Sequence, residues 1–161
     1  MKVIRAIDKV LSYFCNAMMV LLCTVMITSA FLQVVTRMLF NDPLSWTDEL
    51  CRFSMVWLAI FAGAIAVKEH AHIGVNMLRD SLPPKARWIL ERFIACIVTA
   101  FSSALMVYGF QLSAKNFNQL TTGLQIPMGA AYLCLPIGGA IMVFYGVLEI
   151  FCIRQKLRED T

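Results

Sequence analysis

Residues 10–36, VLSYFCNAMMVLLCTVMITSAFLQVVT, decide the fold, because this stretch contains no Asp, Glu, Lys, Arg or His. A bilayer core of about 30 Å needs roughly 20 helical residues to cross, and the stretch exceeds that length. We therefore expect a membrane-spanning helix that is tilted or projects beyond the bilayer. The whole chain is 60% hydrophobic and only 15% charged, whereas soluble domains carry about 25% charged residues.

Three further stretches lack charged residues and His: residues 53–67, 93–114 and 116–148. The first of these is too short to cross alone, so its helix is expected to begin earlier, with charged side chains in the interfacial zone. The pattern predicts an all-α integral membrane protein with a single domain, residues 1–161. Its four transmembrane helices are predicted at about residues 11–36, 47–68, 92–114 and 127–150.

Two segments outside these spans have the mixture of apolar and polar residues that is typical of short interfacial amphipathic helices. One is residues 1–9, where basic side chains reach toward the lipid head groups. The other is residues 73–78, in the polar connection between the second and third spans. We expect both segments to contact membrane lipids, and the first to orient the first span.

The Lys and Arg residues are divided unevenly among the segments that flank the spans. Of the 14 basic residues, only Arg37, Arg52 and Lys115 fall on the side that receives the first and third connections. Because basic residues are retained on the cytoplasmic side, both termini are expected in the cytoplasm. The same asymmetry accounts for the net charge of +4, so no nucleic-acid partner is expected.

The second predicted span is preceded by residues 45–48, Ser-Trp-Thr-Asp, which fit a capping box. In that motif the Ser hydroxyl and the Asp carboxylate accept hydrogen bonds from free backbone N–H groups, so a helix is expected to begin at Ser45. Asp48 and Arg52 stand four residues apart and are expected to form an ion pair. Together with Glu49 they form a charged cluster that is either an interfacial network or a docking surface for another protein.

Helix-packing signals occur in the second and fourth spans. Ala59 and Gly63, four residues apart, would let a neighbouring helix pack closely on the second span. Pro127 suits the first turn of the fourth span, and Pro136 is expected to kink its interior. The polar residues inside spans that are expected to join helices through hydrogen bonds are Gln33, Thr36, Ser102, Ser103 and Gln111.

The residues of the chain do not predict a catalytic or cofactor site. The span centres contain no charged residue of the kind that marks an ion or proton pathway. His70 and His72 have only Glu69 as a nearby carboxylate and no fitting Cys, so a metal site is not expected. The six cysteines are scattered without a close pair, and no His lies within a span where it would bind haem. We therefore expect neither an enzyme nor a bound cofactor.

Two other functions would each require particular residues in the spans. A stand-alone small exporter that dimerises would need an essential acidic residue inside a span, and none is present there. A four-helix membrane redox protein would carry haem or a bound quinone, which the absorbance of the purified protein would reveal.

Three motifs follow one another along the chain. The first is residues 46–52, WTDELCR, followed by Trp57 and Gly63, and the second is the sequence HIGVNML, which begins at His72. The third is residues 123–127, GLQIP, followed by Tyr132 and the sequence PIG, which begins at Pro136. In this order, and with four spans, the chain resembles the small (Q) membrane subunit of tripartite ATP-independent periplasmic transporters, the TRAP family.

The resemblance implies a location in the inner membrane of a bacterium and a division of labour among three proteins. A periplasmic binding protein captures an organic acid, such as a sialic acid or a C4-dicarboxylate. A large (M) membrane subunit moves the acid together with sodium in an elevator-like manner, and the small subunit scaffolds the large one. Sodium is then expected to bind the large subunit and not this chain. The residues expected to serve as partner contacts or interfacial anchors are Trp46, Asp48, Glu49, Arg52, Trp57, Gly63, His72, Pro127, Tyr132 and Pro136.

Overall fold

The computed structural model describes residues 2–40, 44–69 and 83–159, with side chains over residues 6–40, 44–69, 83 and 86–150. Its helices are α1 (Lys2–Phe40), α2 (Ser45–Lys68), α3 (Pro84–Lys115), α4 (Met128–Tyr132) and α5 (Cys134–Glu159). Over these residues the only β-type pairing is an isolated bridge between Leu120 and Pro127. The predicted all-α fold is confirmed.

Within the described residues, four helical segments are long and apolar enough to cross a membrane: Ala6–Phe40, Ser45–Lys68, Ala86–Lys115 and Met128–Ile150. The last of them consists of α4 and most of α5, and the predicted number of spans is confirmed. With 39 residues, α1 is about 58 Å long and exceeds the thickness of a bilayer core. The predicted amphipathic start of the chain is continuous with α1, whereas residues 73–78 lie outside the described residues.

The second span begins at Ser45, as predicted, but the predicted capping box is wrong. Leu44 is the N-cap residue, with extended backbone angles and no hydrogen bond from a side chain to the cap. Ser45 is therefore already the first helical residue, so its hydroxyl is not in the capping position. Instead, the Thr47 hydroxyl donates a hydrogen bond of 2.6 Å to the Leu44 carbonyl oxygen.

The spans pack in the order α1, α2, α5, α3, which differs from their order along the chain. The main buried core lies where α1, α2 and α5 meet. Its buried side chains are Cys15, Phe61, Ala64, Val67, Ile141, Met142 and Tyr145. The two middle helices each have helical neighbours on both sides, whereas α1 packs mainly on α2 and reaches α5 near Ser12.

The close packing of α3 on α5 depends on glycines that face the neighbouring backbone. A Cβ atom added at Gly139 would lie 2.8 Å from the Met106 nitrogen and 3.0 Å from its Cα atom. A Cβ atom added at Gly109 would lie 2.6 Å from the Leu135 Cβ atom. Small residues let membrane helices approach this closely, and dispersion between the helices then stabilises the pair.

The fourth span is interrupted one turn before Pro136, and the predicted first-turn position of Pro127 is wrong. Leu133 separates α4 from α5. Pro127 is the N-cap residue of α4 and not a first-turn residue, and Pro136 lies in the first turn of α5. Proline is tolerated in a first turn because its missing N–H would have no partner within the helix there. The break at Leu133 lies one turn before Pro136, where a proline removes the hydrogen bond to the residue four positions earlier, so the kink predicted for Pro136 occurs as this interruption of the span.

The hydroxyl groups of Thr36, Ser102 and Ser103 bond to their own helices, which contradicts the interhelical hydrogen bonds predicted for these three residues. The Thr36 hydroxyl donates to the Leu32 carbonyl oxygen at 2.9 Å. The hydroxyl groups of Ser102 and Ser103 likewise donate to the carbonyl oxygens four residues earlier, at 2.7 Å and 2.8 Å. A backbone carbonyl of the preceding turn is always within reach of such a side chain, so no neighbouring helix is needed to satisfy it.

Candidate functional site

The carboxylate of Glu49 connects the start of α2 to the loop between α3 and α4. Its Oε1 atom accepts hydrogen bonds from the Thr122 hydroxyl at 2.6 Å and from the Gly123 N–H at 2.9 Å. Its Oε2 atom accepts a third hydrogen bond, 2.9 Å long, from the Leu124 N–H. We call Glu49 with Thr122, Gly123 and Leu124 the Glu49 clamp. Both carboxylate oxygens are used within the chain.

The loop presents these donors because it folds back on itself. The Thr121 N–H donates to the Ile126 carbonyl oxygen at 2.9 Å, and the Ile126 N–H donates to the Thr121 hydroxyl oxygen at 3.2 Å. Gln125 turns the chain with a φ of 55°, which lies in the left-handed region. The Met128 N–H donates to the Gln119 carbonyl oxygen at 2.7 Å and closes the base of the loop. The result is a compact turn with its N–H groups directed at α2.

Gly123 lets this turn lie directly on the first residues of α2. A Cβ atom added at Gly123 would lie 2.9 Å from the Trp46 nitrogen and 2.9 Å from its Cα atom. Backbone atoms cannot move aside as a flexible side chain can. The absence of a side chain at this position therefore brings the Gly123 N–H within reach of Glu49.

Asp48 and Arg52 have a different environment from Glu49. They form the predicted ion pair, with 2.7 Å between the Asp48 Oδ2 and the Arg52 nitrogen, and their side chains are 51% and 67% exposed. Trp46, at the start of the same helix, is also exposed. Exposed ion pairs contribute little to stability, typically about 0–1 kcal/mol. These three side chains are therefore available to another protein, whereas Glu49 is engaged within the chain.

Trp57 connects the middle of α2 to the end of α4. Its indole Nε1–H donates a 2.9 Å hydrogen bond to the Ala131 carbonyl oxygen. The last carbonyls of a helix lack partners within it, so the indole satisfies a group that the short α4 leaves free. The Trp57 ring also packs on Phe61, with 5.9 Å between centroids. Tyr132, the last residue of α4, is half-buried beside this contact.

The other predicted site residues are distributed along the packed helices. A Cβ atom added at Gly63 would lie 2.9 Å from the Met142 Cε atom, so Gly63 faces α5. Pro136 packs beside Gly109 of α3, and Pro127 is half-buried at the start of α4. His72 lies outside the described residues.

At the opposite end of α2, a polar junction connects three helices. The Lys68 ammonium lies 3.0 Å from the Asp8 Oδ1 and donates a hydrogen bond to the Ser12 hydroxyl oxygen. The Ser12 hydroxyl is also 3.1 Å from the Tyr145 hydroxyl, and the ammonium lies 5.8 Å from the centre of the Tyr145 ring. We call Asp8, Ser12, Lys68 and Tyr145 the Lys68 junction. It holds the start of α1 against both α2 and α5.

The sequence prediction missed the Lys68 junction and the partners of Glu49. Asp8 is the only acidic residue before residue 42, and it lies among basic residues at the edge of a span. That isolation was a usable signal that Asp8 has a partner. No comparable signal was present for the three donors of the Glu49 clamp, because two of them are backbone N–H groups.

The described residues have no arrangement suited to hold a metal ion. Among them, no group of three or more His, Cys, Asp or Glu side chains lies close enough together for that role. The cysteines with described side chains, Cys15, Cys23, Cys51, Cys96 and Cys134, are all free thiols. The arrangement of the described residues supports helix packing and surface contacts.

Comparison with known proteins identifies similar chains. Residues 26–156 match the family described as tripartite ATP-independent periplasmic transporters, DctQ component. The sialic acid TRAP transporter small permease protein SiaQ of Vibrio cholerae is 34% identical over 127 residues, which cover 78% of this chain and 72% of that protein. A TRAP transporter small permease protein of Haemophilus influenzae is 31% identical over 140 residues, 82% of this chain and 84% of that protein.

A third relative is a longer protein. The isethionate TRAP transporter permease protein DctMQ of Oleidesulfovibrio alaskensis is 29% identical to this chain over 102 residues. The match covers 60% of this chain but only 16% of that protein.

Proposed function

Because this chain belongs to the DctQ component family of tripartite ATP-independent periplasmic transporters, we propose that it is the small membrane subunit of a sodium-coupled transporter for an organic acid. Members of this family are components of transporters, and the match extends over residues 26–156. This match is the observation that carries the proposal. A similar chain is named as the small permease of a sialic acid transporter, which supports a carboxylate such as a sialic acid as the substrate class.

Within such a transporter, the chain scaffolds the large membrane subunit, and the large subunit binds sodium and the substrate. Ion-coupled transport needs polar or charged ligands near the middle of the bilayer. The four charge-free stretches of this chain contain none of the five ionisable residue types Asp, Glu, Lys, Arg and His. The DctMQ protein of Oleidesulfovibrio alaskensis supports a large subunit beside this chain, because the match covers only 16% of that longer permease. The chain itself carries no cofactor and catalyses no reaction.

The proposed location is the inner membrane of a bacterium, with both termini in the cytoplasm. All but three of the 14 basic residues flank the spans on the side of the termini, as expected for cytoplasmic segments. In this orientation the Glu49 clamp faces the periplasm and the Lys68 junction lies at the cytoplasmic edge. The multi-pass membrane character follows from four apolar helices together with the family.

The periplasmic end of α2 is the proposed contact surface for the periplasmic binding protein or for the outer part of the large subunit. Asp48 and Arg52 are exposed there and pair only with each other among the described contacts. Trp46, which is also exposed, adds an aromatic side chain of the kind that is enriched at protein interfaces. Glu49 supports this surface from within, because it holds the neighbouring turn in place.

Uptake of a radiolabelled organic acid into liposomes tests this function. The large subunit and the binding protein are reconstituted with a sodium gradient, with and without this chain. Uptake is expected to require the chain and sodium, and liposomes that contain this chain alone are expected to take up none. Uptake by this chain alone, or equal uptake in its absence, would overturn the proposal.

A further inference from the structure

One face of α1 remains uncovered along the whole length of the span. Its large apolar side chains recur at spacings of three, four and seven residues and are 55% to 80% exposed. They are Tyr13, Val20, Ile27, Phe31, Val34 and Met38. Ala17 and Thr24 are also exposed and lie between these residues. With them included, successive residues from Tyr13 to Met38 are alternately four and three positions apart. We call these eight residues the α1 seam.

The α1 seam has the dimensions and spacing of a helix-packing surface. Steps of three and four residues produce a straight line of side chains on a helix that winds gently around a neighbour. From Tyr13 to Met38 the line is about 38 Å long, which is enough to cross the hydrocarbon core of a bilayer. The opposite face of α1 already packs on α2. A partner of the seam would therefore be another membrane-spanning helix.

Asn16 gives a reason why lipid alone is a poor cover for this face. Its side chain is exposed, and it lies between Tyr13 and Val20 on the same face of α1. Two helical turns, about 12 Å, separate it from Asp8 at the Lys68 junction, so it lies inside the apolar zone. Among the described residues, Asn16 makes no hydrogen bond, although its carboxamide has two donor hydrogens and an acceptor oxygen.

The two observations together point to a protein at the seam. A polar side chain without a partner in hydrocarbon is unfavourable, and lipid tails offer no donor or acceptor. Exposed Thr24 and Thr28 illustrate the contrast, because their hydroxyl groups donate to carbonyl oxygens of α1 itself at 2.9 Å and 2.8 Å. Asn16 makes no such hydrogen bond within the described chain. Its carboxamide fits a partner helix that presents a polar side chain or a backbone carbonyl at the same depth.

We propose that the α1 seam is the surface that packs against the large transport subunit, with Asn16 forming a hydrogen bond across the contact. This inference rests on the proposed function, which supplies a large multi-span partner. It also specifies which face of the chain meets that partner. In this arrangement α2 and α5 form the middle of the small subunit, and the Lys68 junction holds α1 in place against them.

Photo-crosslinking with a matched pair of phenylalanines tests the inference. The photoreactive residue p-benzoylphenylalanine is placed at Phe31 of the seam or at Phe101 of α3, which are 70% and 65% exposed. Each variant is expressed with the large subunit of the same transporter and irradiated in membranes. The probe at Phe31 is expected to give a product with the summed mass of the two subunits, at several-fold higher yield than the probe at Phe101.

Substitutions at Asn16 provide an independent measurement. Asn16→Leu is expected to lower the amount of large subunit that copurifies with this chain by about three-fold, which is the loss of one average interhelical hydrogen bond. Asn16→Gln, which keeps the carboxamide, is expected to retain most of it. Equal copurification with all three side chains would contradict the role of Asn16.

The outcomes separate this inference from the proposed function. The unmodified chain can copurify with the large subunit while the probe at Phe31 gives only lipid adducts or a product with twice the mass of this chain. In that case the α1 seam is not the contact with the large subunit, and the proposed function is unaffected. If the unmodified chain does not copurify with the large subunit at all, both proposals are overturned.

Discussion

Glu49 and Asp48 are adjacent acidic residues whose side chains have different partners. The sequence grouped both in one charged cluster at the start of α2, together with Arg52. In the structure, Asp48 forms an exposed ion pair on its own helix, whereas Glu49 accepts three hydrogen bonds from a turn more than 70 residues away. Adjacent positions on a helix point about 100° apart, so only one of the two can face the turn. The role of either residue as a partner contact stays a prediction.

This difference gives a prediction at the scale of single residues. Glu49→Gln replaces one carboxylate oxygen by an NH₂ group, which cannot accept a hydrogen bond and would face an N–H donor of the turn. The variant is expected to unfold several degrees below the unchanged chain in detergent. Asp48→Asn, the matched control, is expected to leave the unfolding temperature almost unchanged, because an exposed pair contributes little. Tryptophan fluorescence during heating measures both, and equal unfolding temperatures of the two variants would contradict the clamp.

The helices pack closely at glycines, and the atoms that face these glycines differ in how easily they can move. Gly139 of α5 faces backbone atoms of Met106 in α3, and Gly63 of α2 faces only the terminal methyl group of Met142. Met side chains have three rotatable bonds and fill irregular spaces, whereas a helix backbone is rigid. The sequence identified Gly63 and also Gly139 as packing residues, but it could not show that Gly139 faces the backbone of α3.

At the scale of elements, an added methyl group should therefore have unequal effects. Gly139→Ala is expected to push α3 away from α5 and to destabilise the fold by about 1–3 kcal/mol, as overpacking does in well-packed cores. Gly63→Ala is expected to be accommodated by a rotation of the Met142 side chain, with a much smaller loss. Denaturation in mixed micelles measures the free energy of unfolding of each variant. A larger loss for Gly63→Ala would contradict the packing of α3 on α5 described above.

In the whole molecule, some polar and apolar side chains contact other helices and others are exposed on the outer surface. The Glu49 clamp, the Trp57 hydrogen bond and the Lys68 junction each join elements that are distant along the chain. The Asp48–Arg52 pair at one end of α2 and the apolar face of α1 are exposed. Inward groups set the shape of the chain, and outward groups are the ones that a transporter complex would use.

A charge reversal tests that separation in the assembled transporter. Asp48→Lys places two like charges one helical turn apart on the exposed face of α2, and it is expected to reduce uptake by weakening subunit association or docking. The loss is expected to diminish at higher salt, because exposed charges are screened. Glu49→Lys is expected to reduce uptake and to lower the unfolding temperature as well. Normal uptake by a correctly assembled Asp48→Lys transporter would remove Asp48 from the proposed contact surface.

The amino-acid sequence by itself determined the fold class, the four spans and the ion pair between Asp48 and Arg52. The spans could be predicted because the preference of a segment for hydrocarbon depends on its own residues and length. The ion pair could be predicted because residues four apart always meet on a helix. The same local reasoning placed the start of α2 at Ser45 but assigned the cap to the wrong residue, since caps depend on backbone angles of one or two residues.

The tertiary structure alone decided which distant groups meet. Glu49 and Gly123 are 74 positions apart, and Ser12 and Tyr145 are 133 apart. Their contacts depend on α5 lying between α2 and α3, and this order of packing is not encoded in the hydropathy of any one span. Hydrophobicity drives each helix into the membrane, but inside the bilayer it no longer distinguishes one apolar neighbour from another. The choice there depends on glycines, hydrogen bonds and side-chain shapes that take effect only when the helices are together.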